Sequence, residues 1–293
     1  MRIPRIKLTI AAALAVVGIT AAVAVAAPAG LSPNQKALQS AFAETGKASS
    51  EHFSFSLSVA ASGSNFAITG SGGVDTKHQS ANVSVNLGAL SQALGSASGG
   101  TQIPKTIQVV VLNKTAYVYL PSVAASIKPG AQWLKFDTSS LPSSVTKGAN
   151  PGALTNINPQ QALAQLTAAV TVHKLGKTTV RGSSTTHYQA AVNIAKVVAI
   201  LPKSQQATEK AALAKLGLKS LPIDVYVDGS GLVRRVGLSL AGLKAAAGSP
   251  AVSLKMTFDL YDFGTHVSVS APPASKTADG STLLSSLTKG LGG

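Results

Sequence analysis

This chain of 293 residues contains no cysteine. Disulfides, thiolate nucleophiles, zinc–thiolate sites and lipidated cysteines are excluded, and stability has to come from burial. Charge is scarce as well: 12% of residues are charged, and only 10 are acidic. So few carboxylates leave little material for general acid–base chemistry. Asp259 and Asp262 are the one close pair, and at the end of an apolar strand they read as turn residues. The five histidines, His52, His78, His173, His187 and His266, are scattered and read as strand-end or surface residues rather than metal ligands. No Walker loop, G-x-G-x-x-G or G-x-S-x-G elbow occurs. The nearest string, Gly237-Leu238-Ser239-Leu240-Ala241, lacks the final glycine and lies inside a strand. An enzyme is not expected, and no cofactor is called for. Aromatics are few, at 4%, and sit mostly in apolar alternations rather than among basic residues, which argues against nucleic-acid binding.

Long apolar runs are confined to the N-terminus. Arg2, Arg5 and Lys7 precede an uncharged stretch from Leu8 to Ala29. A basic segment followed by an apolar one is the pattern of an export signal. Cleavage after Ala24-Val25-Ala26 is the preferred frame, with Ala27-Pro28-Ala29 as the second. An uncleaved anchor is the other reading, since the stretch is long enough to span a bilayer. Both readings place the remainder beyond the membrane, outside the cell or in its envelope. Loss of residues 1–26 leaves 22 Lys and Arg against 10 acidic residues, a formal charge of +12. That excess suits an anionic membrane surface, although the lysines are scattered singly as on a solvated face.

What the chain has in abundance is period-two alternation. Phe53-Ser54-Phe55-Ser56-Leu57-Ser58-Val59 puts apolar side chains on one side of a strand and hydroxyls on the other. Further strands are predicted over 66–75, 78–87, 106–112, 115–120, 132–137, 170–175, 178–181, 185–194, 221–227, 232–240, 252–260 and 267–269. Turns fall at Gly63-Ser64-Asn65, Thr76-Lys77, Asn113-Lys114 and Asp228-Gly229-Ser230-Gly231, the last a strong hairpin signal. Pro121 ends a strand. Ser32-Pro33-Asn34-Gln35 opens a helix with a capping box, Leu38 and Phe42 share its apolar face, and Gly46 closes it. Short helical segments are expected at 90–94, from Pro159, at 196–201 and at 204–216, and a long loop at 138–158. The spacing of a parallel βαβ sheet is missing. The expected class is α+β: a single large antiparallel half-barrel sheet of about eleven strands, with short helices packed on its concave face. One domain is read over 27–275, followed by a flexible tail over 276–293.

Several stretches carry a resemblance. They are Thr178-Thr179-Val180-Arg181-Gly182-Ser183-Ser184-Thr185-Thr186-His187-Tyr188, Leu221-Pro222-Ile223-Asp224-Val225-Tyr226-Val227-Asp228, Gly231 to Val236, Trp133 to Asp137, and Tyr261-Asp262-Phe263-Gly264 through Ala271-Pro272-Pro273. Together they resemble the LppX/LprA/LprG family of actinobacterial envelope lipoproteins, similar in fold to the LolA/LolB lipoprotein carriers. The resemblance spans roughly residues 35–275 and rests on structural rather than catalytic motifs. It implies a hydrophobic cavity between sheet and helices that holds the acyl chains of lipids or glycolipids. The family's lipobox cysteine is absent here.

The candidate walls of such a cavity are Phe53, Phe55, Leu57 and Val59; Phe66 and Ile68; Val83 and Val85; Tyr117 and Tyr119; Val225 and Val227; and Met256 and Phe258. Two readings stay open. These residues line a space for hydrocarbon, or they pack on one another as the filled core of a structural, sensor or interaction module. A carrier of lipoproteins is a third reading. The protein is expected to be a monomer.

Overall fold

The computed structural model describes residues 30–61, 64–95, 104–137, 170–193, 220–243 and 251–281, with 195, 198, 206, 207 and 210 singly. The stretch read as an export signal, the loop expected at 138–158 and the helix expected from Pro159 lie outside the described residues, and the readings at 196–201 and 204–216 fall largely outside them.

In chain order the elements are helix α1 (Pro33–Thr45), strands β1 (Ser50–Ala61), β2 (Ser64–Asp75) and β3 (Ser80–Asn86), helix α2 (Gly88–Gly95), strands β4 (Thr106–Leu112) and β5 (Thr115–Tyr119), and helix α3 (Pro121–Ile127). Strands β6 (Trp133–Asp137), β7 (Val170–Val180), β8 (Ser183–Asn193), β9 (Ser220–Asp228), β10 (Val233–Leu243), β11 (Val252–Tyr261) and β12 (Thr277–Asp279) complete the list. The hydrogen-bonded order is β12-β6-β5-β4-β3-β2-β1-β11-β10-β9-β8-β7. The class is α+β, with one large and mostly antiparallel sheet. Its first and last strands are not partners, so it is open. The chain divides into two compact units: residues 1–47 with 156–254, and residues 48–155 with 255–293.

The first unit holds α1 and β7 to β10. The capping box of α1 forms as its sequence dictates: the Ser32 hydroxyl accepts from Gln35 N–H at 3.3 Å, and Gln35 Oε1 accepts from Ser32 N–H at 2.8 Å. Such a cap stabilises by about 1 kcal/mol. The helix packs on β7 and β10, burying Leu38, Ala41, Phe42 and Thr45. At its end the Thr45 hydroxyl donates to Ala41 C=O at 2.7 Å and accepts from Val233 N–H at 2.8 Å. Strand β7 corrects one expectation. The two strands expected at 170–175 and 178–181 are one strand that ends at Val180, with a register shift between Lys174 and Gly176 that Gly176 absorbs with φ +138°. Arg181 and Gly182, at φ +47° and +82°, make the two-residue turn into β8. In the β9–β10 turn, Asp228 Oδ1 accepts from Ser230 N–H at 2.9 Å and Leu232 N–H at 3.0 Å, while Oδ2 meets Arg234 Nε at 2.5 Å.

The second unit holds β1 to β6, α2, α3, β12 and most of β11. Strands β1 and β2 pair without interruption from Ser50↔Asp75 to Ala61↔Ser64. Pro121 does more than end β5: it occupies the first turn of α3, where its missing N–H costs nothing. Ala124 packs there with Ala131, Leu134 and Ala278.

The C-terminal path departs most from expectation. Residues 267–269 are not a strand. The chain turns at Asp262 and Gly264, both at positive φ, and is pinned by Gly264 N–H to Ser50 C=O at 2.8 Å and by the Ser50 hydroxyl to Thr265 C=O at 2.6 Å. Val267 then rests on Gly73, where a Cβ would lie 2.6 Å from Val267 Cγ1. The segment ends as β12, parallel to β6, inside the stretch read as a tail. Ala278 is the reason: its methyl is 3% exposed and completes the cluster around Leu134.

Candidate functional site: two faces of the second unit's strands

Cross-strand register decides which candidate residues share a face. On β1 the odd positions Phe53, Phe55, Leu57 and Val59 stand opposite Gly72, Gly70, Ile68 and Phe66 of β2. Val83 and Val85 of β3 continue the rows beyond Gly72 and Gly70, and Val109 and Ile107 of β4 extend them. Phe258 of β11 stacks on Phe53 with ring centroids 5.6 Å apart and planes at 14°, and Met256 points to the same side two residues away. Ten of the fourteen candidates therefore form one apolar face, and each of them is half-buried.

Two glycines shape this face. A Cβ on Gly70 would lie 2.4 Å from the Phe55 ring, and one on Gly72 would lie 2.8 Å from the Phe53 ring. The Phe53 and Phe55 rings lie flat over β2 because nothing but hydrogen projects there. Ile107 and Val109 belong to the face but were not among the candidates. Their signal was the same alternation, Ile107, Val109, Val111, inside a run of β-branched residues that hides its period.

Four candidates lie elsewhere. Tyr117 opposes Val110 and Lys135, and Tyr119 opposes Gln108 and Trp133, all on the other face of the same strands. On β5 the buried side is that of Ala116, not that of the tyrosines. Val225 and Val227 belong to the first unit. Val225 is 2% exposed and stands opposite Tyr188 and Val236, and Val227 is half-buried.

One acidic group sits on the apolar face. Glu51 shares its side with Phe53 and opposes Val74, whose row continues through Ala81 to Val111. Desolvation by these neighbours raises its pKa to about 7.

The opposite face is wet. Its central row runs Trp133, Tyr119, Gln108, Ser84, Ser71, Ser54 from β6 to β1. Trp133 and Tyr119 meet edge to face at 5.2 Å. A depression of about 440 Å³ opens over Ser71, Asn82, Ser84, Gln108 and Val110, reaches Gly72, Val83 and Val109, and is walled by His52, Tyr261, Val267 and Ser268. The His52 ring stacks on Tyr261 at 6.0 Å, and its Nδ1 lies 3.8 Å from Asp262 Oδ2. Asp75 and His78 pair at 2.7 Å in the β2–β3 turn, and hydrogen bonds from His78 lower the Asp75 pKa. In the first unit His187 Nε2 meets Asp224 Oδ1 at 2.8 Å, and its ring stacks on Tyr226 at 4.3 Å. Among the described residues no group of three or more His, Asp or Glu is placed to hold a metal.

No family model matches the chain. Over 198 residues it is 26% identical to an uncharacterized 31.2 kDa protein in the rplA–rplJ intergenic region of Streptomyces griseus, a match covering 66% of this chain and 61% of that protein. Among solved structures it is similar to the Mycobacterium tuberculosis lipoprotein LppX, at 12% identity and a TM-score of 0.44, covering 80% of this chain and 97% of LppX. It is likewise similar to LprF from Mycobacterium bovis, at 14% identity and a TM-score of 0.46, covering 83% and 99%. LppX is one of the proteins that give the resembled family its name. Among the described residues no helix is long and apolar enough to cross a membrane.

Proposed function

We propose that this protein is an exported, non-enzymatic carrier of lipid or glycolipid acyl chains. The apolar face of β1 to β4 and β11 is the seat of the hydrocarbon. The observation that carries this reading is the state of that face. Its ten candidate side chains lie in rows across the strands and each keeps part of its surface exposed, while Ala81 and Val111 at one end of the face are buried. A face of this kind gains free energy from any hydrocarbon laid on it, about 0.8 kcal/mol for each methylene buried. A dozen methylenes supply roughly 10 kcal/mol before the costs of association are met. No precise polar contact is needed, which suits a chain so poor in charge. Phe53, Phe55, Leu57, Val59, Phe66, Ile68, Val83, Val85, Met256 and Phe258 are the proposed contacts. The basic N-terminal segment before Leu8 supports export, and the excess of lysine and arginine supports approach to an anionic membrane surface.

A structural or sensor module with a filled core is the second reading. The first unit favours it, since Val172, Val192, Val225 and Val233 are buried there. Mass spectrometry of organic extracts from purified protein separates the two. Stoichiometric co-purified lipid, reduced by Leu57→Asp, supports the carrier. Lipid-free protein whose thermal stability ignores added phospholipid vesicles overturns it. An acylated polypeptide in the extract would assign the cargo to the lipoprotein class instead.

A further inference from the structure

We propose that the wet face of the second unit carries a separate site for a neutral saccharide chain laid across β2 to β6. The register places Trp133, Tyr119, Gln108, Ser84 and Ser71 in one row, each on its own strand. Neighbouring strands lie about 4.8 Å apart, so the row extends roughly 19 Å. That step is close to the repeat of linked pyranose rings. The row leads into the depression of about 440 Å³ over Ser71, Ser84 and Gln108. Aromatic rings stand at both ends: Tyr119 with Trp133 at one, and the stacked His52 and Tyr261 at the other.

The lining mixes Val83, Val109, Val110 and Val267 with Ser71, Ser84, Ser268, Asn82 and Gln108, an amphipathic surface that suits a ligand with both hydroxyls and C–H faces. Serine hydroxyls and the Gln108 carboxamide both donate and accept, as the vicinal hydroxyls of a sugar do, while the Asn82 amide accepts from Gly73 N–H at 3.0 Å and donates to Ser268 C=O at 3.5 Å. Aromatic faces offer apolar platforms to the C–H faces of sugar rings. No carboxylate, lysine or arginine lines the depression, which disfavours an ionic ligand. An acyl chain would bury the serine and amide groups against hydrocarbon at about 1–3 kcal/mol for each left unpaired. Strand addition by a peptide is closed to this row, because its central strands are paired on both sides. The apolar face lies on the opposite side of the same strands, so a glycolipid whose tails rest there cannot present its own headgroup here. The ligand is therefore a free saccharide chain, and the site does not depend on the lipid reading.

Trp133 is the only tryptophan, so its emission reports on the site directly. The full chain is titrated with maltotriose, cellotriose, mannotriose and chitotriose at millimolar concentration, followed by fluorescence and calorimetry. Saturable binding of at least one is expected, weakened about tenfold or more by Gln108→Ala and by Tyr119→Ala, and unchanged by Leu57→Asp on the other face. Ser84→Ala, which removes only one exposed hydroxyl, gives a second reading should Tyr119→Ala fail to fold. The proposal is overturned if none of the four sugars binds, if binding ignores both Gln108→Ala and Ser84→Ala, or if the protein responds to vesicles bearing a neutral glycolipid but not to soluble sugars.

Discussion

In the strands that α1 packs against, and in those between them, Val172, Val192, Val225 and Val233 are at most 8% exposed. Along β1, by contrast, Phe53, Phe55, Leu57 and Val59 all keep part of their surface accessible. Both regions are written in the same period-two alternation of small and β-branched residues. The difference lies in what meets the apolar side. In the first unit a capped helix brings Leu38, Ala41 and Phe42 onto the strands and locks itself with the Thr45 hydroxyl. In the second unit the partners of Phe53 and Phe55 are Gly72 and Gly70, which add nothing to the packing but leave the rings free to lie down. Alternation marks a surface that wants to be covered, and it does not name the cover.

The sharpest break in this comparison is the same truncation in each region. Leu38→Ala should cost about 2–5 kcal/mol in chemical denaturation, because α1 leaves a cavity behind. Leu57→Ala should cost less than about 1 kcal/mol and show itself as reduced lipid retention, since its side chain is only half-buried. Equal losses from the two would mean that the second unit's face is as filled as the first.

Thr45→Val tests the lock on α1. It keeps the shape but strands the buried Val233 N–H, at a cost of about 1–3 kcal/mol. Glu51 probes how dry the apolar face is. Its folded pKa of about 7 lies above the ordinary glutamate value of 4.5, so between these values the unfolded chain binds fewer protons than the folded one. Stability from this group therefore falls as pH rises from about 4.5 to 7 and is level above that range. Glu51→Gln should remove that slope and stabilise the protein above neutral pH by on the order of 1 kcal/mol or more. An unchanged pH profile of unfolding would show that the carboxylate reaches water. The smallest effect is expected for the exposed pair of Glu44 and Lys47, 2.7 Å apart: Glu44→Ala should change stability by no more than about 0.5 kcal/mol.

Much of this architecture was legible locally. The capping box at Ser32, the hairpin at Asp228 and the turn at Asn113-Lys114 are decided within a few residues, and the chain honours each one. The join of 170–175 to 178–181 was not legible, because Gly176 can equally end a strand or bulge it. Strand β12 was hidden too. Three small residues, one apolar between two polar, carry no period, and only the packing of Ala124, Ala131 and Leu134 gives Ala278 its place. Of the candidate site, the rows of β1, β2, β3 and β11 could be read from alternation. The placement of Tyr117 and Tyr119 could not. Alternation shows that Ala116 and Val118 oppose them but leaves open which side is inner, and the smaller side won.

By itself the sequence determined that this protein has no thiol chemistry and little acid–base chemistry, and that it builds strands with one dry and one wet side. Those properties follow from residue type and from spacing along the chain. Which dry sides are sealed, and which polar residues line up across five strands, was decided only by the tertiary structure. Registers and covers are set by contacts between residues far apart in sequence, such as Val233 with Thr45 and Val267 with Gly73, and no local pattern encodes those distances.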